Sequence, residues 1–229
     1  CIDKDEKIID NLNTGIIPIF EPSLEDLVHK NMKEGRLRFS KDLISEINNA
    51  DIIFIAVGTP RGKEDGEADL SSVFSVAEEL SKNIEKETIV AMKSTVPVGT
   101  MKIIEKIFKT KSNNKIIKTA SVPEFLREGL AVNDFMQPSR VIVGSNYPEV
   151  HSTLYELHRP LIKSNKNLYF QTDTQTAELI KYASNAFLAV KISFINEISN
   201  LCEKIGANVE EVADGMGLDK RIGRWGLST

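Results

Sequence analysis

The stretch DIIFIAVGTP (51–60) runs six apolar residues without a break, from 52 to 57, and then stops at Gly, Thr and Pro. A continuous apolar run of this length, with no alternation, is the mark of a strand buried on both faces. It is far too short to span a bilayer. The same pattern recurs at ETIVAMKS (87–94), KIIKTASV (115–122) and RVIVG (140–144), with LYF (168–170) a weaker instance. Between these runs lie segments of helical period: LSSVFSVAEELSKNI (70–84), GTMKIIEKIFK (99–109) and PEVHSTLYELH (148–158). Buried strands separated by amphipathic helices predict an α/β fold, a doubly wound parallel sheet with helices on both faces and mostly right-handed crossovers.

Upstream, CIDKDEKIIDNLN (1–13) reads as the end of a further strand with Asp3 at its tip, followed by a helix. An acidic residue in that place bonds ribose hydroxyls in dinucleotide-binding sheets. It is equally a common helix N-cap. Downstream, no Gly or Pro interrupts the chain between Pro160 and Gly206, so 172–206 can form one long helix. Thr172, Asp173 or Thr174 could cap its start, and Gly206 suits the position just past its end. The tail adds one short helix and a Gly-rich loop.

With 229 residues, 41% of them hydrophobic and 27% charged, the chain is ordinary for a globular protein with a substantial core. A net charge of -4 with pI near 5.6 argues against general nucleic-acid binding. The lysine-rich KTKSNNKIIK (109–118) reads as a solvated helix end and loop. No signal peptide or membrane segment is legible. Cys1 and Cys202 are isolated, without metal or disulfide spacing, which suits a reducing cytoplasm. Cys202, among Ile198, Leu201 and Ile205, reads as a buried structural thiol. The start at CID, without Met and inside a strand-like run, reads as a piece of something longer.

In open α/β sheets ligands bind at the carboxyl ends of the strands. Three strands here finish in unusual loops, VGTP (57–60), KSTVPVGT (93–100) and VPEFLREG (122–129), where Pro and Gly fix non-helical turns and, in the first two, Thr and Ser offer hydroxyl donors. Each alone could be a plain strand-to-helix turn; three at one edge suggest a site. In SVPEFLREGLAVNDF (121–135), Glu124 and Glu128 stand four apart, the spacing that puts two carboxylates on one helical face. On the long helix Lys181, Asn185, Leu188 and Ile192 share a face, and a mid-helix Asn in an apolar context needs a partner if buried. A snorkelling Lys and a satisfied Asn are the bland alternative. His29, His151 and His158 lie on helical patterns without partners and read as surface or core residues. No metal-ligand spacing is present.

Taken in order, PIFEP, AVGTP, GEADLSSV, STVPVGT, PEFLREGLAVNDF, SRVIVG, ELIKYASNAFLAVKISFINE and GLDKRIG closely resemble the UDP-glucose 6-dehydrogenase family of nucleotide-sugar dehydrogenases, along nearly the whole chain. The resemblance implies a Rossmann-like NAD-binding domain over 1–171, incomplete at its N-terminus. It also implies a long helix and the start of a central dimerisation domain over 172–229, incomplete at its C-terminus. Family enzymes oxidise the C6 hydroxyl of UDP-glucose to a carboxylate with two NAD molecules and a cysteine thioester, and a soluble cytoplasmic homodimer is the implied form.

Position by position, the resemblance implies that Asp3 holds the NAD ribose, with Thr59, Thr95 and Glu128 lining the cofactor cleft. Phe125, Leu126 and Glu128 would contact the nucleotide sugar. Lys181 and Asn185 would face the reacting C6 oxygen, and Arg221 would reach a substrate in a partner subunit. Thr95 and Glu124 would complete the catalytic set, Glu124 handling the proton of the hydrolytic water. A Lys ammonium and an Asn amide would stabilise charge developing on oxygen, unless burial turns Lys181 toward a base role; the sequence leaves both open.

The departures are equally specific. A GxGYVG loop and the GGSCF segment with the nucleophilic cysteine are absent, and neither Cys1 nor Cys202 matches that context. Ser23 stands where EPG is usual, and Ile8 where a basic residue is common. The 229-residue polypeptide is therefore expected not to convert UDP-glucose to UDP-glucuronate by itself. Two alternatives remain: a non-catalytic nucleotide-sugar-binding remnant, and a dehydrogenase of a UDP-N-acetylhexosamine or GDP-mannose.

Overall fold

The computed structural model describes residues 1–62, 66–111, 117–163 and 165–227. The lysine-rich 109–118 lies partly outside the described residues, as do the first two positions of the strand expected at 115–122. Five strands form one sheet in the order β1 (Ile52–Ile55), β2 (Thr88–Met92), β3 (Ile117–Ser121), β4 (Val141–Gly144) and β5 (Tyr169–Thr172). Every run read as a strand from its apolar pattern is one, apart from the opening segment. There the expected strand is reduced to a single parallel bridge, Ile2 to Ser40.

β2 shows why the sheet needs cover on both sides. Its residues are all buried, and successive side chains point to opposite faces. Val90 and Met92 join Ile55, with Val73 and Leu80 of α4 (Ser71–Asn83) and Met101, Ile104 and Phe108 of α5 (Thr100–Lys111). Ile89 and Ala91 instead join Val141 and Val143, with Val150, Leu154 and Ile162 of α7 (Pro148–Ile162). The Rossmann-type α/β architecture thus follows from two cores, one per face.

One pairing departs from the all-parallel expectation. β1/β2, β2/β3 and β4/β5 are parallel, but β3 and β4 meet antiparallel at Ser121 and Gly144. The connection between them contains only α6 (Ala131–Met136), six residues long. The antiparallel pairing means that the chain enters β4 from the carboxyl edge of β3. As a result Arg140, just before β4, lies at the edge where β1–β3 end.

The remaining helices are α1 (Glu6–Asn13), α2 (Leu24–Lys33), α3 (Leu43–Ile47), α8 (Thr174–Ile205) and α9 (Val209–Gly217). α1 is capped by Asp5, whose side chain accepts from the N–H groups of Lys7 and Ile8. Ser23, before α2, sits in the left-handed region at φ 67°, which costs a non-glycine residue about 1 kcal/mol. A glycine would take this conformation without that cost. α8 matches the long helix expected over 172–206 to within two residues at each end. Of its three candidate caps Asp173 takes the role, accepting from Thr176 N at 2.9 Å. Cys202 is buried and Cys1 exposed.

The chain divides into two compact units, Cys1–Leu179 and Ile180–Thr229, with α8 running from the first into the second. The second has its own small core, Ile195, Ala213 and Leu227, with Ile198, Val209 and Met216 packed on it. Arg224 ties its tail to α9 through Asp214 and donates to the Leu227 carbonyl at 2.6 Å.

Candidate functional site

The register Ile55–Met92–Ser121 brings the last residues of β1, β2 and β3 to one level, so their loops leave the same edge. The first two loops are tied together. Thr59 Oγ1 donates to the Thr95 carbonyl at 2.9 Å, and Ser94 Oγ to the Val57 carbonyl at 2.7 Å. Lys93 N extends the ladder to the Ile55 carbonyl at 2.8 Å. Two hydroxyl residues far apart in sequence thus form one wall.

The third loop corrects an expectation. Glu124 and Glu128 do not share a helical face, because α6 begins only at Ala131. Residues 122–127 have no regular structure and 128–130 form a turn. Glu124 Oε2 accepts from Leu126 N at 2.6 Å, a local bond that competes with helix formation. Pro123 cannot donate to a preceding turn either. Glu124 is half-buried and Glu128 exposed. The Phe125 ring lies under the Arg140 guanidinium, 3.9 Å from its centroid, an arrangement made available by the antiparallel β4. Burial lowers the pKa of Arg140. Arg127 holds Asp134 through Nε at 2.9 Å and Nη2 at 2.7 Å, and the guanidinium keeps that carboxyl below its usual range.

A residue that periodicity did not single out stands beneath the second loop. Glu178, in the first turns of α8, is buried, and its two oxygens accept from Gly99 N at 2.6 Å and Met101 N at 2.8 Å. The carboxylate thus meets the amides at the start of α5, where the helix dipole favours negative charge. A Glu three residues before a Lys on an apolar helix was the available signal. Burial still dominates and raises the Glu178 pKa, against the opposing pull of the two amides. The folded state then binds this proton more tightly than the unfolded one. Glu178 adds no pH dependence below its unfolded value near 4.5, and its contribution to stability falls as pH rises from there through the folded value. Subtracting the unfolding free energy of Glu178→Gln from that of the wild type at each pH is expected to give a difference that declines across this window. A flat or rising difference would show that the amides, rather than burial, set the ionisation.

Asp3 is exposed, and its Oδ1 accepts from Asp5 N at 2.9 Å. Because Asp5 is the cap of α1, Asp3 is not needed for that role. In α8 Lys181 is buried and Asn185, one turn on, is exposed, so the partner expected for a buried Asn is not required. Arg221 is exposed and held by Asp219, Nη2 to Oδ2 at 2.6 Å. His158 is buried, with Nδ1 at 2.7 Å from the Leu154 carbonyl, and desolvation lowers its pKa. His29 meets the Gly15 carbonyl at 3.1 Å. Among the described residues no group of three or more His, Cys, Asp or Glu is placed to hold a metal ion, and no helix is long and apolar enough to cross a membrane.

Comparison with known proteins accounts for nearly all of the chain. Residues 1–162 match the NAD-binding domain of the UDP-glucose/GDP-mannose dehydrogenase family, and residues 175–228 match its central domain. The chain is 49% identical over 225 residues to a UDP-glucose 6-dehydrogenase of Rhizobium meliloti, covering 97% of this chain and 51% of that protein. It is 50% identical to a UDP-glucose 6-dehydrogenase of Bacillus subtilis, covering 97% and 50%. The chain spans about half the length of the curated relatives it matches. Among solved structures, a UDP-glucose dehydrogenase from Pyrobaculum islandicum superposes with a TM-score of 0.91 at 36% identity, over 99% of this chain and 52% of that one. A GDP-mannose dehydrogenase from Pseudomonas aeruginosa gives 0.89 at 31%, over 99% and 52%.

Proposed function

Because the chain belongs to the UDP-glucose/GDP-mannose dehydrogenase family, we propose that it carries the NAD and nucleotide-sugar binding parts of an enzyme that oxidises UDP-glucose to UDP-glucuronate. The observation that carries this reading is the loop edge itself: the Thr59–Thr95 wall and the 122–130 turn leave the same ends of β1–β3. The names of its relatives favour UDP-glucose over GDP-mannose as the substrate. We propose a division into a NAD-binding domain over 1–171 and a long helix with a central-domain segment over 172–229.

The residues fit NAD where its ribose would lie. Asp3 is exposed, its Oδ1 is turned by Asp5 N, and its Oδ2 accepts no hydrogen bond among the described residues, so it can accept from a diol. Bound NAD supplies the acceptor for the hydride leaving the sugar carbon. The chain's own residues do the rest. Thr59, Thr95 and Glu128 line the cofactor side. Phe125, Leu126 and Glu128 orient the sugar, with main-chain groups of the turn as donors and acceptors. Lys181 and Asn185 stabilise negative charge on the C6 oxygen, and Glu124 moves the proton of a water. Arg221 reaches the substrate of a second copy. The thioester step needs a nucleophilic cysteine in a GGSC context, which neither Cys1 nor Cys202 provides.

Calorimetric titration tests the reading on the 229-residue chain. UDP-glucose is expected to bind, GDP-mannose more weakly, and Lys181→Ala to weaken UDP-glucose binding about tenfold by removing one charge-assisted contact. Equal affinity for both nucleotide sugars would remove the substrate assignment, and no binding of either would remove the function.

The proposed homodimer is supported by α8. Phe187, Val190, Phe194, Leu201 and Ile205 are all exposed, and at 100° per residue they fall within an arc of about 60°. A second copy of this helix is the proposed cover.

A further inference from the structure

The 122–130 turn is fastened from a part of the chain that the nucleotide-sugar reading leaves unused. Glu21, in the loop between α1 and α2, is half-buried. Its Oε1 accepts from Gly129 N at 2.7 Å and its Oε2 from Ala131 N at 3.0 Å. Both acceptors of one carboxylate are thus spent on two main-chain donors more than 100 residues away. Gly129 is in the left-handed region at φ 78°, a conformation that turns its N–H toward Glu21 and that other residues adopt at a cost. Arg127 to Asp134, Arg140 over Phe125 and Glu124 to Leu126 N are local fastenings, all between residues 124 and 140. Glu21 anchors it to the N-terminal part of the chain, which also contains Asp3.

We propose that Glu21 is a positioning residue: by holding Gly129 and Ala131 it sets the path of residues 125–131 and so the main-chain groups presented to a nucleotide sugar. The proposal rests on the nucleotide-sugar reading above and adds to it a residue that touches no ligand. Charge-assisted bonds to backbone donors are among the stronger ones in a protein, and a donor left unpaired at a half-buried turn drives the turn to rearrange. Misplacing binding groups by an ångström is enough to weaken recognition severely.

The test uses the 229-residue chain, its Glu21→Ala variant and its Glu21→Gln variant, in which one oxygen remains and the amide opposes the second donor. Two readouts are taken: hydrogen exchange of the Gly129 and Ala131 amides without ligand, and UDP-glucose affinity by calorimetry. Exchange of both amides is expected to accelerate at least about tenfold in Glu21→Ala, with UDP-glucose binding weakened about tenfold and Glu21→Gln lying between. Unchanged exchange would overturn the clamp. Faster exchange with unchanged affinity would overturn the positioning role and leave a purely structural one, visible only as a lower melting temperature. If Glu21→Ala does not fold, Glu21→Gln decides on the same two readouts. If the wild type binds no UDP-glucose, the nucleotide-sugar reading falls and takes the ligand half of this proposal with it. Amide exchange then still decides whether Glu21 holds the turn.

Discussion

Gly144→Ala is expected to destabilise the chain by about 3 kcal/mol, at the top of the range for overpacking a well-filled interior. Gly144 ends β4, where β5 leads into α8. A Cβ there would stand 2.4 Å from the Asp173 carbonyl oxygen, 2.5 Å from Ala177 Cβ and 2.9 Å from the Asp173 carbonyl carbon. These are backbone and stem atoms at the start of a helix, with no flexible side chain to yield. Relief would require lifting the first turn of α8 off the sheet, and with it Glu178 and its bonds to Gly99 and Met101. Gly58→Ala is the matched control, because nothing lies within 4 Å of a Cβ there and its φ is not positive. Its expected effect is within about 0.5 kcal/mol, as for an open surface site. Urea unfolding of the three proteins reads the comparison. A Gly144→Ala loss below about 1 kcal/mol would mean that the β4–α8 approach is looser than the structure shows.

Phe194→Glu is expected to weaken self-association of the chain at least about 100-fold, through loss of an aromatic contact and burial of an unpaired charge. Phe194 is 45% exposed, in the middle of the stripe that runs from Phe187 at 65% to Ile205 at 67%. Five large apolar side chains in one file on a helix are more than scattered exposure supplies, and a second copy of the helix is their proposed cover. Ile192, also 45% exposed, lies outside that arc, so Ile192→Glu separates a stripe-specific effect from a general change in surface charge. Sedimentation at several concentrations is expected to show dimer for wild type and Ile192→Glu, and monomer for Phe194→Glu. A monomeric wild type at high micromolar concentration would leave the stripe without the proposed partner.

What the sequence determined by itself was the inventory of elements and the edge at which they act. Unbroken apolar runs located the strands, and a gap without Gly or Pro located α8. Pro and Gly after β1, β2 and β3, with hydroxyl residues after the first two, marked one rim. These properties are local, because burial on both faces and helical period are written in consecutive residues. Tertiary structure decided the rest. β4 entered antiparallel from the carboxyl edge of β3, and this put Arg140 over Phe125. Glu124 and Glu128 lost their shared face because a side chain bonded its own backbone and a carboxylate from residue 21 met the start of α6. Glu178 reached Gly99 and Met101 only once α8 had packed on the sheet. The bonds from Glu21 and Glu178 join residues far apart in sequence, and the partner is not legible in the residues around either one. A hydrophobic pattern specifies which face is buried, but a single hydrogen bond across a hundred residues is specified only by where the packed elements come to rest.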